Sequence, residues 1–250
     1  MHRWLCRLAF FLSLPGWAHE LVGEGSSVQP LRVITIPTAG LLPQGSLLLQ
    51  VGLFPAGTLS AECFASPIPR LLLGLAFSGR NLIGTGEPEW QSLPGVSLRF
   101  RLRDEGMMIP AVVLGLHTQG WGGYEQERRR FTIPAAGIFL AASKSYRWWL
   151  GELAWHGMLG YPLEPPPRAR RINAGIGFEH TLGRFGRIVA EYNFLRGDAE
   201  RKGRTGMLSV AFSFGIGRQA ALCAEIVDIV PPQESEHPWA RALTILYYLR

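Results

Sequence analysis

Residues 172–195 read INAGIGFEHTLGRFGRIVAEYNFL, and the alternation in this stretch decides the fold. Ile172, Ala174, Ile176 and Phe178 alternate with Asn173, Gly175, Gly177 and Glu179. After a short break at 181–185, Ile188, Ala190, Tyr192 and Phe194 alternate with Val189, Glu191 and Asn193. A period of two is the signature of a strand with two unlike faces, and a Gly-containing break of this size joins antiparallel neighbours. The same dyad recurs in Leu47, Leu49, Val51 and Leu53, in Val96, Leu98, Phe100 and Leu102, in Leu208, Val210, Phe212 and Phe214, and in Leu243, Ile245, Tyr247 and Leu249.

Alternation alone fits two folds. In a soluble sandwich the apolar face meets a core and the polar face meets water. In a membrane barrel the apolar face meets lipid, and the small and polar residues face the lumen. Connection lengths separate the two. The pattern predicts strands at 46–54, 58–66, 69–78, 95–103, 109–118, 134–144, 148–159, 171–180, 186–195, 206–215, 220–229 and 241–249. Short connections at 66–68, 104–108, 145–147, 181–185 and 215–219 alternate with long ones at 79–94, 119–133, 160–171, 196–205 and 230–240. Short periplasmic turns and long outer loops characterise transmembrane barrels, and an even strand number returns both ends to the periplasmic side. The fold expected is therefore all-β, a transmembrane antiparallel up-and-down barrel of about twelve strands.

Composition agrees with export into a membrane. The 250 residues are 47% hydrophobic and 18% charged, with a formal net charge of +6. After the N-terminus, no apolar run approaches the roughly 20 residues that a membrane-crossing helix needs. Residues 1–18 read as a signal peptide: Arg3 and Arg7, then the apolar LAFFLSL at 8–14, then Pro15-Gly16, with Ala18 preceding the cleavage point. Residues 19–45 are expected to be a periplasmic segment leading into the first strand, and 46–250 the barrel. Cys6 leaves with the signal, while Cys63 and Cys223 fall on opposite faces and are expected as free thiols.

The long connections carry Gly84-Thr85-Gly86-Glu87-Pro88, Arg128-Arg129-Arg130, Pro165-Pro166-Pro167-Arg168, Glu200-Arg201-Lys202 and Pro231-Pro232-Gln233-Glu234, which read as solvated loops. Tyr146, Trp148, Trp149, Trp155, Tyr161, Tyr247 and Tyr248 fall mostly near strand ends, where amphipathic rings favour the membrane interface.

Several motifs resemble a known group. Ile36-Pro37-Thr38-Ala39-Gly40, the 79–86 segment GRNLIGTG, the 119–124 segment QGWGGY and Ser143-Lys144-Ser145-Tyr146 are similar to segments of YjbH-like and uncharacterised outer-membrane barrels of diderm bacteria. The resemblance spans most of 33–215. It implies the barrel fold and the outer membrane, with export or assembly of exopolysaccharide as an associated role. The chain is shorter than the full-length polysaccharide-linked proteins. Such barrels commonly end on an aromatic residue read by the barrel-assembly machinery; here Tyr248 or Leu249, ahead of Arg250, stands in that place.

The chain offers little chemistry. HExxH, CxxC and GxSxG are absent, so neither a metal site nor a cofactor is expected. Glu152 and His156 share a lumen face, but four residues of strand separate them by about 13 Å, too far for an acid–base pair. The candidate lumen lining is Gln50, Glu62, Arg99, Arg101, His117, Glu152, His156, Asn173, Glu179, Glu191, Asn193 and Glu225, a set of mixed sign that suits a narrow or plugged pore. The candidate headgroup-binding residues are Arg128, Arg129, Arg130, Arg168, Arg170, Arg171, Arg201, Lys202 and Arg204 on the outer loops. Partners expected are outer-membrane lipid and lipopolysaccharide, the assembly machinery, and polysaccharide; nucleic acid is not. The leading function is a non-catalytic narrow channel or export accessory. One alternative is a structural or surface-binding barrel. Another is a lipid-modifying enzyme, for which His180 alone shares the lipid-facing parity, with no serine paired to it.

Overall fold

The computed structural model describes residues 21–164, 170–195, 206–229 and 240–250. The signal peptide at 1–18, Arg168, Arg201, Lys202, Arg204 and the Pro165–Pro167, Glu200–Lys202 and Pro231–Glu234 stretches lie outside them. The described residues form fifteen strands: β1 Leu47–Phe54, β2 Thr58–Ala65, β3 Leu71–Arg80, β4 Glu89–Trp90, β5 Gly95–Arg103, β6 Ala111–His117, β7 Trp121–Glu125, β8 Arg130–Ile133, β9 Gly137–Trp148, β10 Gly151–Tyr161, β11 Asn173–Leu182, β12 Gly186–Asn193, β13 Met207–Ile216, β14 Ala220–Val227 and β15 Ala240–Leu249. No described helix is long and apolar enough to cross a membrane.

Each main strand pairs antiparallel with its neighbour around a ring. β1 meets β15 through Leu47↔Leu249 to Leu53↔Leu243, and β2 meets β3, so the sheet has no free edge. The sheet holds thirteen strands, of which β4 is a two-residue extension on β3; the other twelve form the closed barrel. Closure removes the unpaired strand edges that hydrocarbon cannot solvate.

Side-chain direction follows the dyad. Along β1, Leu47, Leu49, Val51 and Leu53 are exposed, while Leu48, Gln50, Gly52 and Phe54 are buried. Leu75 on β3 is 64% exposed and Ile176 on β11 is 51% exposed, whereas Glu191 on β12 is 1% exposed. A charge sheltered inside and leucines outside define a molecule solvated by lipid around its girth.

The structure departs from the sequence reading in four places. The β9–β10 hairpin turns at Trp149-Leu150 rather than at 145–147, and its strands begin later than 134 and 148. The aromatic run Tyr146–Trp148 suits extended pairing, and Gly151, at φ +130°, takes the strained backbone position after the turn. The connection 119–133 is not a solvated loop but the β7–β8 hairpin, with Trp121, Phe131 and Ile133 buried. Tyr248 faces the lumen and is fully buried, leaving Tyr247 and Leu249 on the outer face of the last strand.

The largest difference concerns residues 21–45. Instead of a periplasmic leader, they turn back into the barrel. Leu21, Val22, Val28, Leu31, Val33, Ile34, Ile36, Ala39 and Leu42 are all buried, packed with inward residues of the wall such as Phe139, Met158, Val189 and Ala211. The lumen is the hydrophobic core of this protein.

Candidate functional site

The inward segment folds as a hairpin. Arg32 bridges to Pro37, the Val33 N–H donates to the Ile36 carbonyl at 3.0 Å, and the Thr38 N–H donates to Leu31 at 3.1 Å. At the tip, the N–H groups of Ile34, Thr35 and Ile36 have no acceptor within the hairpin. Buried donors must be met from elsewhere, and Glu191 on β12 meets all three. Its Oε2 accepts from Ile34 and Thr35 at 2.8 Å each and from Ile36 at 3.1 Å, while Oε1 takes the Thr35 hydroxyl. Asn193, one step along the same lumen face, donates to Thr35 Oγ1 at 2.9 Å.

Opposite β11, the hairpin lies directly against the wall. A Cβ added to Gly175 would sit 2.6 Å from Ile36 Cγ2, and one on Gly177 would sit 2.6 Å from Val33 Cγ2. These two glycines leave a lane in the wall that the hairpin fills, the close approach that strand glycine permits.

The arms of the hairpin are held by β2, β5 and β9. Arg32 pairs with Glu62 at 3.0 Å. Arg99 Nη1 donates to the Leu31 carbonyl at 2.6 Å, and Arg101 Nη2 donates to the Ala39 carbonyl at 2.7 Å and to Gln29 at 2.9 Å. The Ala39 N–H donates to Ser143 Oγ at 2.9 Å, and that hydroxyl also bonds His156 Nδ1 at 2.8 Å. His156 Nε2 lies 3.6 Å from Glu179, which Arg187 approaches at 3.7 Å. A cavity of about 160 Å³ at the short-turn end is lined by Gln29, Glu105, Ser143, Glu152, His156 and Glu179 among others.

From the long-loop end the β7–β8 hairpin folds inward. Trp121 Nε1 donates to Glu225 at 2.8 Å, and its ring meets Phe54 edge-on at 5.2 Å. Glu164 clamps the base of this hairpin, accepting from the N–H of Phe131 at 2.9 Å and of Ala135 at 2.6 Å. Between the two hairpins lies a space of about 10 Å³. The barrel is closed twice, from below by its own N-terminal segment and from above by one of its loops.

Of the twelve lumen candidates, Gln50, Glu62, Arg99, Arg101, His117, His156, Asn173, Glu191, Asn193 and Glu225 are buried, and Glu152 and Glu179 are half-buried. Most meet the two hairpins rather than open water. Glu152 is turned toward Arg147 at the rim. Arg128 and Arg129 are exposed on the β7–β8 turn, where Arg128 pairs with Glu125 at 3.4 Å. Arg130 is half-buried with Nε directed at the Phe131 carbonyl, and Arg170 and Arg171 flank β11. Cys63 is exposed on the outer face and Cys223 is buried in the lumen, both as thiols. His180 points outward against the Trp148 ring, centroids 5.6 Å apart. The described residues hold no group of three or more metal-ligating side chains.

Sequence reasoning missed Arg32, the hairpin tip 33–36, Trp121 and Arg187. One signal was available: two glycines on the lumen face of a strand, Gly175 and Gly177, imply that another segment occupies the space their side chains would take.

No family model and no curated relative matches the chain. Among solved structures it is similar to the KdgM porin, with a TM-score of 0.52 at 8% identity, covering 82% of this chain and 99% of that one. It is also similar to the outer membrane protein Omp33 of Acinetobacter baumannii (TM-score 0.48, 9% identity, 82% and 97% covered). A third is the COG4313 outer membrane channel of Pseudomonas putida F1 (TM-score 0.47, 11% identity, 89% and 100% covered). At this identity the likeness concerns the fold: a closed antiparallel barrel of twelve strands, as in outer-membrane barrel structures.

Proposed function

We propose that this protein is an outer-membrane channel held closed by its own N-terminal hairpin, without a catalytic centre. The observation that carries the reading is the chemistry of the wall behind the hairpin. A barrel meant only to stay filled has no need of charged groups behind its filling, yet this wall carries them beside the apolar Phe139, Met158 and Val189. Here the wall offers Glu62, Arg99, Arg101, Asn173, Glu191 and Asn193, groups that water can satisfy as well as the hairpin does. Withdrawing the hairpin would leave a wettable tube in place of a collapsed one.

The similarity in fold to a porin supports a channel role. Surface polysaccharide is the context that the motifs at 36–40, 79–86, 119–124 and 143–146 suggest. Three of those motifs take part in the closing device: Ala39 bonds Ser143, and Trp121 caps the lumen.

Planar-bilayer recording tests the reading. The intact protein should show rare openings, and weakening the hairpin's attachment should make them frequent. A pure folded barrel that stays silent after the attachment is removed would overturn it.

A further inference from the structure

The space between the two hairpins gathers buried polar groups whose hydrogen bonds are unmet. Arg99 is 2% exposed, and among the described residues no carboxylate lies within 4 Å of it. Its Nη1 reaches the Leu31 carbonyl, its Nε has no acceptor, and the Phe139 ring lies beneath the guanidinium at 5.5 Å. The carboxylates of the neighbourhood are committed elsewhere. Glu62 is engaged by Arg32 at 3.0 Å, and Glu225 accepts from Trp121 at 2.8 Å and Thr244 at 3.3 Å. An arginine cannot relieve its burial by losing a proton, so a buried guanidinium that feels the Glu62 charge only from a distance, with no carboxylate in hydrogen-bonding contact, is left under-satisfied.

The unmet groups converge. His117 Nδ1 and both polar atoms of the Gln119 amide are buried without partners, and these residues line the same space as Arg32 and Arg99. The Gln119 Oε1 is an acceptor and gains nothing from an anion, but imidazole N–H, the Gln119 amide NH2 and guanidinium N–H are donors, and an anion accepts from several at once. The space is about 10 Å³, room for one particle of about the size of a water molecule. A carboxylate, a phosphate or a sugar does not fit.

We infer that Arg99, Arg32, His117 and Gln119 form a binding site for a single monatomic anion, chloride, seated between the N-terminal hairpin and the β7–β8 hairpin. Arg32 belongs to the first hairpin and Gln119 adjoins the second, so the ion bridges both closures to the wall strands β5 and β6. The inference stands whether or not the barrel conducts.

The unmodified protein supplies the test. Crystals grown with bromide replacing chloride should give an anomalous peak in contact with the Arg99 guanidinium. In detergent at fixed ionic strength, exchanging chloride for gluconate, which is too large for the space, should lower the unfolding temperature by several degrees. Bromide should restore it. Arg99→Met should abolish this halide dependence, whatever its own stability. A site that scatters only as water, or equal unfolding temperatures in chloride and gluconate for the unmodified protein, overturns the inference.

Discussion

The Glu191 carboxylate on β12 holds the backbone N–H of Ile34 at 2.8 Å, across 157 positions of sequence. The same oxygen serves Thr35 and Ile36, so one side chain satisfies the whole tip of the inward hairpin. Glu191→Ala leaves these donors buried and unmet, a loss of about 3 kcal/mol. Cys223, a thiol inside the lumen, reports the result. In a Cys63→Ser background, a charged maleimide should modify Cys223 about a hundredfold faster in the Glu191→Ala protein. Equal rates would mean that the carboxylate does not hold the hairpin in place.

The hairpin can be fastened by covalent means. Position 175 would place its Cβ 3.5 Å from the Ile36 Cβ, within reach of disulfide geometry. The pair Ile36→Cys with Gly175→Cys, made in a background lacking Cys63 and Cys223, should close under oxidant. Bilayer currents should then vanish and return on reduction. Currents that persist through the oxidised bond would show that ions pass by another route.

The upper closure depends on Trp121. Trp121→Phe keeps a ring against Phe54 but removes the indole donor to Glu225. Glu225 retains Thr244, so the expected loss is modest, about 1–2 kcal/mol, read as a lower urea midpoint. The Cys223 labelling rate should rise less than in the Glu191→Ala protein, because the lower hairpin remains seated.

Lipid contact predicts an asymmetry between the two faces. Leu75 lies midway along β3 and points outward. Leu75→Arg should destabilise the barrel by about 2–4 kcal/mol in bilayers, as charges do near the midplane. In detergent micelles, which deform more readily around a charge, the loss should be smaller. Equal losses in both would argue against a membrane setting for this face.

The twelve barrel strands were legible because most of them keep to one simple rule over seven or more residues. Val96, Leu98, Phe100 and Leu102 lie outward and Ser97, Arg99 and Arg101 inward as alternation requires, since lipid and lumen impose opposite demands on neighbouring side chains. The two closures were hidden for the opposite reason. Neither obeys a period: residues 21–45 are broken by Pro30, Pro37 and Pro43, and the 119–133 connection contains Gly120, Gly122 and Gly123 beside three arginines. Their burial comes from contacts far away in sequence, such as Trp121 with Glu225 and Thr35 with Glu191. Charged residues inside the barrel were recognisable as lumen residues. Their partners were not, because a hairpin offers backbone groups that carry no sequence signature.

Both described ends of the inward segment lie at the same rim. Glu24 bonds Gly183 at 2.9 Å in one short turn, and Gly45 bonds Ser66 at 2.8 Å beside another. Ser46 is anchored at this rim, at the head of β1, where its carbonyl accepts from the Ser66 N–H at 3.2 Å. A displaced hairpin is therefore tethered beside its own seat, at an effective concentration in the millimolar range or above. Its return is a first-order event that dilution cannot slow, so each molecule recloses on its own clock and needs no partner to do so.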